Sequence, residues 1–513
     1  MKNRKLILTA VFMAFATLLA KLCGLVRDSM IAGYFSAGME TDAFMTATKL
    51  PTMLFDMVIG GVISASFIPV FNSVREKDGI NTAEKFAGKF IMLVISVALV
   101  IACLGIVFSD QLVTLLAPGF SGDKHILTSE LTAIMFPMII FTGLAFCFVG
   151  LLQSYGEYNI PAIISLVSNV AIIAYFPLFA DKYGIRGLAY TMLIAWSLQV
   201  IIQVPSLIKF KYKFRPSFKF NDANLKAALL LAGPMLISTW IQPLYSVINS
   251  RLASGIAGAP TILELANRLY VVMTGVFSFV VTNLIFPKVA KSNAENNDEE
   301  GKKLIVSSLK LMFYILLPMT VGVIILAKPI TSIIYEHNKF SKESVEAVTT
   351  VLKCYSIGMV ALAINEVLSK YFFSMHNSKT PMRNSILSMI INIFLAHILF
   401  NAFKTPGLAL AAAGGSISNA VLNWISLKDK KLFCKSDWIV VLKSVVSTVV
   451  MAFLVYVLYI FISSPSAGMM GNVYSCIICG IVGVAIYLIM SYFLKIEFIT
   501  GFLKGGKSKT NEK

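Results

Sequence analysis

The sequence predicts an all-α polytopic membrane protein of about 14 transmembrane helices. Two six-helix lobes related by a parallel repeat are expected, followed by two C-terminal helices. Three observations carry this reading. First, the 513 residues are 57% hydrophobic and 14% charged, with a mean hydropathy of +0.79, where an average soluble domain carries about 25% charged residues. Second, apolar runs long enough to cross roughly 30 Å of hydrocarbon recur from end to end. Third, Lys and Arg concentrate in every second loop, the distribution of a positive-inside topology.

Taken in order, the apolar runs lie near 6–33, 42–72, 86–109, 128–153, 160–180, 186–208, 223–250, 261–288, 303–327, 346–373, 381–402, 406–427, 437–463 and 471–495. The first follows the basic cluster Lys2-Asn3-Arg4-Lys5 and has the charged and apolar regions of a signal peptide. Its helical pattern continues through Lys21 toward Tyr34, so an uncleaved signal-anchor is expected. Further basic clusters fall at Arg75/Lys77/Lys85, Lys209–Arg215, Lys288/Lys291/Lys302/Lys303, Lys428/Lys430/Lys431/Lys435 and Lys504/Lys507/Lys509/Lys513. The alternate loops 35–41, 252–262 and 464–472 hold no Lys or Arg. An even number of spans with a basic N-terminus places both termini in the cytoplasm. Topology and anionic headgroups thus account for the net charge of +18, and nucleic acid is not an expected partner. The seven cysteines fall mostly in apolar segments. Cys476 and Cys479 have CxxC spacing, but within a hydrophobic span without flanking ligands, which favours packing over redox or zinc chemistry. The four histidines are scattered. No metal, cofactor or catalytic residue is expected.

An internal repeat runs through the chain at an offset near 218–220. Asp110–Leu116 matches Lys328–Ile334, Phe120-Ser121 matches Phe340-Ser341, and Ser154 with Pro161 matches Ser374 with Pro381. Gly187-Leu188-Ala189 matches Gly407-Leu408-Ala409, and Phe67–Pro69 lines up with Ile285–Pro287. The offset spans six helices, an even number, so both copies enter the membrane in one orientation. The expected division is 1–222 for the first lobe, 223–430 for the second, and 431–513 for the last two helices and a basic tail. Repeated lobes favour alternating access around a site between them.

Charges inside the spans mark that site. An ionisable group at mid-bilayer costs at least about 2.5–3.5 kcal/mol on insertion scales, so it needs a partner or water. In the first span Lys21 and Asp28 are seven residues apart on nearly one helix face, with Arg27 roughly 100° around. In the second, Asp42, Lys49 and Asp56 are also spaced by sevens. The eighth carries Glu264 and Arg268 as an i,i+4 pair beside Asn267, and the tenth carries Glu366 and Lys370. Blander readings stay open. Arg27 and Asp28 can snorkel or pair for structure, Asp42 can be a plain helix-start acid, and Glu366–Lys370 reads as a structural ion pair. The concentration of charge in spans one, two and eight, against almost none in spans three, five and six, points to a charge-lined cavity. Its expected substrate-binding set is Lys21, Arg27, Asp28, Asp42, Lys49, Asp56 and Arg268. Lysine charge and the planar arginine fork suit phosphate oxygens, so an anionic, pyrophosphate-bearing substrate is the natural match. The acids allow charge balance or cation coupling, and charge moving through the cavity would sense membrane potential at about 2.3 kcal/mol per charge per 100 mV.

At these residues the chain resembles the MurJ/MviN lipid II flippases of the multidrug/oligosaccharidyl-lipid/polysaccharide exporter superfamily. The likeness is carried by Gly24–Asp28, Gly38–Phe44, Lys49-Leu50-Pro51, Phe67–Pro69, Leu116–Phe120, Phe136-Pro137, Ala266–Leu269 and Lys379–Pro381. These run in the family's order across essentially the whole chain. The resemblance implies a fourteen-helix fold, a central cationic cavity, and export of the undecaprenyl-pyrophosphate-linked precursor of peptidoglycan to the outer leaflet of the bacterial cytoplasmic membrane. It also implies a hydrophobic groove, formed with the last two helices, for the lipid tail. Arg27 and Arg268 match the family's cavity arginines, and Asp28 and Asp42 its acidic partners. Lys21 stands where an arginine is common, Phe55-Asp56 where an arginine pair is frequent, and Gly60, Asn267 and Val271 where acids are usual. Spans seven and eleven lack carboxylates associated with a sodium site in some members. A flippase for another polyprenyl-linked glycan is the nearest alternative, and a transport-inactive scaffold recruiting cell-wall synthesis proteins is another. The cations Lys21, Arg27 and Arg268 argue against an exporter of organic cations. Short outer loops without a convincing acid pair argue against a glycosyltransferase.

Overall fold

The computed structural model describes residues 2–60, 63–239, 241–280, 298–375, 377–427, 433–462 and 468–499. The repeat anchor 285–287, the basic clusters 288–291 and 428–431, and the tail 504–513 lie outside them. The described residues form helices and the connectors between them, with no strand. Hydrocarbon offers no hydrogen bonds, so a spanning backbone satisfies itself only as helix or closed barrel, and runs of this length choose helix.

The chain divides into two compact units, Met1–Thr261 with Asn338–Phe340, and Ile262–His337 with Ser341–Lys513. The first unit contains α1 (Lys2–Phe35), α2 (Met39–Phe55), two short π-helical segments (Asp56–Gly60 and Ile63–Phe67) and α3 (Ile68–Asp78). It continues through α4 (Ile80–Val107), α5 (Ser109–Leu116), α6 (Gly122–Met135), α7 (Met138–Ser154) and α8 (Asn159–Ile201). Then come α9 (Val204–Lys209), α10 (Ala223–Thr239), α11 (Ile241–Ala253) and the first turn of α12 (Ala259–Val280). In the second unit the rest of α12 is followed by α13 (Asp298–Tyr335), α14 (Lys342–Ser356), α15 (Met359–Ser374), α16 (Lys379–Phe403), α17 (Thr405–Ile425), α18 (Lys435–Ile462) and α19 (Gly468–Phe493).

Eight helical stretches among the described residues are long and apolar enough to cross a membrane, and nine if α14 and α15, bent by 42°, form one span. The stretch Asn159–Lys209 has 51 residues and contains two of the expected spans. It breaks at Gly184, whose φ of 54° and ψ of −151° are not helical. Ser168 accepts a hydrogen bond from Gln199 across this break at 2.9 Å, so α8 is a helical hairpin. The protein is therefore an all-α, multi-pass membrane protein.

The same hairpin recurs 220 residues later. Lys404, at φ 56° and ψ −131°, separates α16 from α17 as Gly184 divides α8. Gly187 and Gly407 follow the two breaks at matching positions. A Cβ on Gly187 would overlap the Tyr175 hydroxyl, and one on Gly407 the Leu399 carbonyl oxygen. The turns before the hairpins also coincide: Glu157 N donates to Leu152 O, and Asn377 N to Phe372 O, each at 2.9 Å. Phe120 and Phe340 are both buried just ahead of the serines that precede α6 and α14.

Within the first unit Phe67, Phe71, Phe86 and Phe90 make one aromatic cluster, with centroids 4.9–6.0 Å apart. Phe44, Leu131 and Phe176 anchor another core among α2, α6 and α8. In the second unit the buried Lys310 of α13 meets Asp437 at 2.9 Å and Glu497 at 2.6 Å. Tyr487 of α19 donates to Tyr314 O at 2.7 Å. These bonds fasten α18 and α19 to α13.

The close backbone approach at Gly407 makes a stability prediction. Gly407→Ala should lower the melting temperature of the detergent-purified protein, by about 1–3 kcal/mol of overpacking. Gly322→Ala in α13, where a Cβ meets nothing within 4 Å, should leave it unchanged or raise it by up to about 1 kcal/mol through helix propensity. Equal effects at the two positions would refute the packing assignment.

Candidate functional site

α1 carries Lys21, Arg27 and Asp28 past the middle of its length, and its pairing with α8 decides how the last two are held. Arg27 turns its guanidinium to the adjacent residue, and Nε and Nη2 both donate to Asp28 Oδ1, at 2.9 and 2.7 Å. Its Nη1 donates to Asn169 Oδ1 of α8 at 3.0 Å. Asn169 in turn donates from Nδ2 to the Ala20 carbonyl at 3.1 Å, so one amide grips both the α1 backbone and the guanidinium. The adjacent residues Arg27 and Asp28 thus pair although their Cβ atoms point about 100° apart. A guanidinium has five N–H donors. Three of them are used in these bonds, and 17% of the side chain is accessible. Lys21 is half-buried six residues earlier, and it makes no hydrogen bond or ion pair among the described residues.

Asp42 behaves differently. It has no exposed surface, and its carboxylate collects four donors. Oδ2 accepts from Lys124 Nζ and from Gly258 N, each at 2.7 Å. Oδ1 accepts from Thr261 N at 3.1 Å and Thr261 Oγ1 at 2.6 Å. Gly258 and Thr261 flank the start of α12, whose first N–H groups have no helical partner, so Asp42 caps α12 as well as opening α2. Lys124 is also held over the Phe120 ring, 4.0 Å from its centroid. The surrounding loops are tied at the same end of the unit. Gly119 N donates to Ser254 Oγ at 3.0 Å, Arg251 Nη1 to Leu115 O at 2.8 Å, and Lys339 N to Gly33 O at 2.9 Å.

Along α2 the seven-residue spacing yields graded exposure: Asp42 is buried, Lys49 half-buried and Asp56 exposed. Asp56 opens the π-helical segment, where the α-helical register ends. In the second unit Arg268 Nε meets Glu264 Oε1 at 3.1 Å with 49% of the arginine side chain accessible. Glu366 and Lys370 are both half-buried on α15. Among the described residues no group of three or more His, Cys, Asp or Glu is placed to hold a metal ion.

The structure therefore joins Arg27 to Asp28 and Glu264 to Arg268, while giving Asp42 partners that charge counting overlooks. Asn169, Lys124 and Thr261 are the additions. Asn169 had a signal, as a neutral amide in an otherwise apolar run. A ladder of amides in the second unit had the same signal: Asn384 donates to Asn423 Oδ1 at 2.9 Å, and Asn423 to Asn365 Oδ1 at 2.5 Å. Such bonds hold membrane helices together at about 0.6 kcal/mol each.

Residues 31–479 match the family model described as Lipid II flippase MurJ. The chain belongs to the MurJ family. Among curated MurJ relatives, the probable lipid II flippase of Buchnera aphidicola subsp. Schizaphis graminum is 30% identical over 496 residues, covering 94% of this chain and 96% of its own. The lipid II flippase MurJ of Burkholderia cenocepacia is 25% identical over 426 residues, covering 81% and 83%. A solved lipid II flippase MurJ in an inward closed conformation superposes with a TM-score of 0.83 at 25% identity, covering 95% of this chain and all of that one. An inward-facing multidrug resistance transporter of the MATE family shares the fold, with a TM-score of 0.66 at 14% identity. MurJ is a family of membrane transporters, and this chain shares the fold of its solved member over 95% of its length.

For this MurJ family member, the Asp42 clamp predicts a stability phenotype. Asp42→Asn turns an amide donor toward donors and strands the Lys124 ammonium, so it should destabilise the protein by about 3 kcal/mol or more in thermal unfolding. Lys124→Met leaves three donors on Asp42 and should cost less. A double-mutant cycle with no coupling between Asp42 and Lys124 would refute the clamp.

Proposed function

We propose that this chain is a flippase that carries lipid II from the inner to the outer leaflet of the bacterial cytoplasmic membrane by alternating access. The observation that carries the proposal is likeness over nearly the whole chain to proteins named lipid II flippases, together with an arginine held inside a membrane helix with donors to spare. Arg27 is oriented by Asp28 and Asn169, so two N–H groups remain for an oxyanion. Charge-assisted bonds to phosphate are shorter and stronger than neutral ones, more so away from bulk water. In this reading the pyrophosphate binds Arg27, with Lys21 and Lys49 adding positive charge and Asp28 and Asp56 balancing it; Arg268 in the second unit is a further cation of the transport path. Asp42 is a positioning residue that fixes one end of the first unit through α12. The undecaprenyl tail stays in lipid, no covalent bond changes, and the chain is not an enzyme. Both termini face the cytoplasm, and membrane potential or a cation gradient drives the cycle. Cell-wall synthesis proteins that supply and consume the lipid are natural partners.

The test is translocation of lipid II in proteoliposomes. Arg27→Ala should slow it roughly ten- to hundred-fold, the value of a charged hydrogen bond. Arg27→Lys should retain part of the rate, because it keeps the charge and loses the fork. Arg268→Ala should also slow transport. Undiminished flipping in both alanine variants would sink the site. Lys21 and the Phe55-Asp56 pair, where the family favours arginines, support a second reading, a flippase for another polyprenyl-linked glycan. Complementation of cells depleted of their lipid II flippase separates the two. Growth with lipid II exposed on the outer leaflet supports the first, and a folded, membrane-inserted chain that fails to rescue supports the second.

A further inference from the structure

Residues 211–220, KYKFRPSFKF, alternate basic and aromatic side chains and contain no acid. They lie in the connector from α9 to α10, and its placement is firm. Phe210 stacks on Tyr155 with centroids 5.5 Å apart and planes at 17°. Tyr155 Oη donates to Glu84 at 3.3 Å, and burial together with that carboxylate pushes its phenol up to about 12. Arg215 donates to Asn81 Oδ1 at 3.2 Å, and its carbonyl lies where a Cβ on Gly88 would be. At the far end Asp222 accepts from Lys89 at 2.5 Å and from the N–H groups of Asn224 and Leu225. Burial alone would raise the Asp222 carboxyl; Lys89 and those N–H groups outweigh it and hold the carboxyl below its ordinary value.

This fixed backbone presents its other side outward. Phe214, Phe218 and Phe220 are exposed, Phe218 by 68%. Lys211, Lys213 and Lys219 are exposed beside them, with no ion pair among the described residues. The connector begins where the membrane-crossing stretch Asn159–Lys209 ends, stacks on the residue after Gly122–Ser154, and leans on the first turns of Ile80–Val107. Ends of three apolar spans set its depth at the boundary of the hydrocarbon. Aromatic rings favour that boundary, and basic clusters there attract anionic leaflets.

We propose that the connector 211–220 is a docking surface for anionic phospholipid headgroups. Lys211, Lys213 and Lys219 face the phosphates, and Phe214 and Phe218 enter the headgroup layer. The charge complementarity and the depth both favour the bilayer itself over a soluble acidic partner. Each lysine strengthens attachment to an anionic surface roughly five-fold. The proposal is independent of which lipid-linked glycan is transported.

The test uses the full chain in nanodiscs containing brominated phosphatidylglycerol or brominated phosphatidylcholine. A Phe218→Trp reporter is read as the difference in fluorescence from the parent chain, with Phe214→Trp as a second reporter. Stronger quenching by the anionic lipid, lost in about 1 M salt where the screening length falls to about 3 Å, is the expected result. Lys211→Gln, Lys213→Gln and Lys219→Gln together should remove the preference while leaving protein yield and melting temperature unchanged. Equal quenching by the two lipids would overturn the anionic specificity. No quenching by either would overturn the docking surface, and it is the result a soluble acidic partner would give.

Discussion

In hydrocarbon a charge must find its partner within the protein, and that requirement shapes both units. Lys310, Arg27 and Asp42 sit in or at the ends of apolar helices, and each is met by groups distant in sequence. Arg27 reaches Asn169 on α8, Asp42 reaches Lys124 and Thr261, and Lys310 reaches Asp437 and Glu497. Removing one member of a buried pair typically costs about 3–5 kcal/mol. These few pairings therefore restrict which helices can lie side by side far more than the surrounding Leu, Ile and Val, which pack almost as well against lipid.

Small residues supply the rest of the specificity. The two helical hairpins, 220 residues apart, depend on a break in the left-handed region followed three residues later by a glycine that admits a neighbour. At the first break a glycine takes φ 54°, and at the second Lys404 takes φ 56°, a region uncommon for residues with a side chain. Retention of the second break by a lysine indicates that the hairpin packing behind it, with Gly407 against Leu399 and Ser388 bonded to Gly415, is strong enough to hold a less favourable backbone.

Much of this was legible in the sequence, and the illegible part has a physical pattern. Composition and run length suffice for an all-α membrane protein, because they report the solvent rather than the fold. The repeat was legible through Gly187/Gly407 and Phe120/Phe340, residues whose neighbours tolerate little change. Span boundaries were less so: α8 runs on to Gly184 as a continuous helix, straight through Pro177. Local pairs such as Glu264 with Arg268 were legible from their spacing, but partners distant in sequence were not. Asn169 is 142 residues from Arg27 and Thr261 is 219 from Asp42, and no helical periodicity carries information over such separations. Neutral amides carry a weaker signal than charges, although a buried amide without a partner is also costly in lipid.

Arg27 and Asp42 show how geometry, beyond charge, distinguishes a group with donors left over from one already saturated. Both are ionisable, both lie in or beside an early span, and both fit the same cavity argument. Yet Asp42 has two oxygens, four protein donors and no accessible surface. A substrate cation or hydroxyl could reach it only by displacing one of those donors, which would leave a buried N–H or ammonium unpaired. Arg27 has five donors, of which three are used, and part of its surface is open. Its existing bonds orient the fork without exhausting it, so binding an oxyanion there breaks nothing. A residue that can gain a partner without losing one is suited to a cycle of capture and release. A residue already saturated is suited to holding the frame in which that cycle runs.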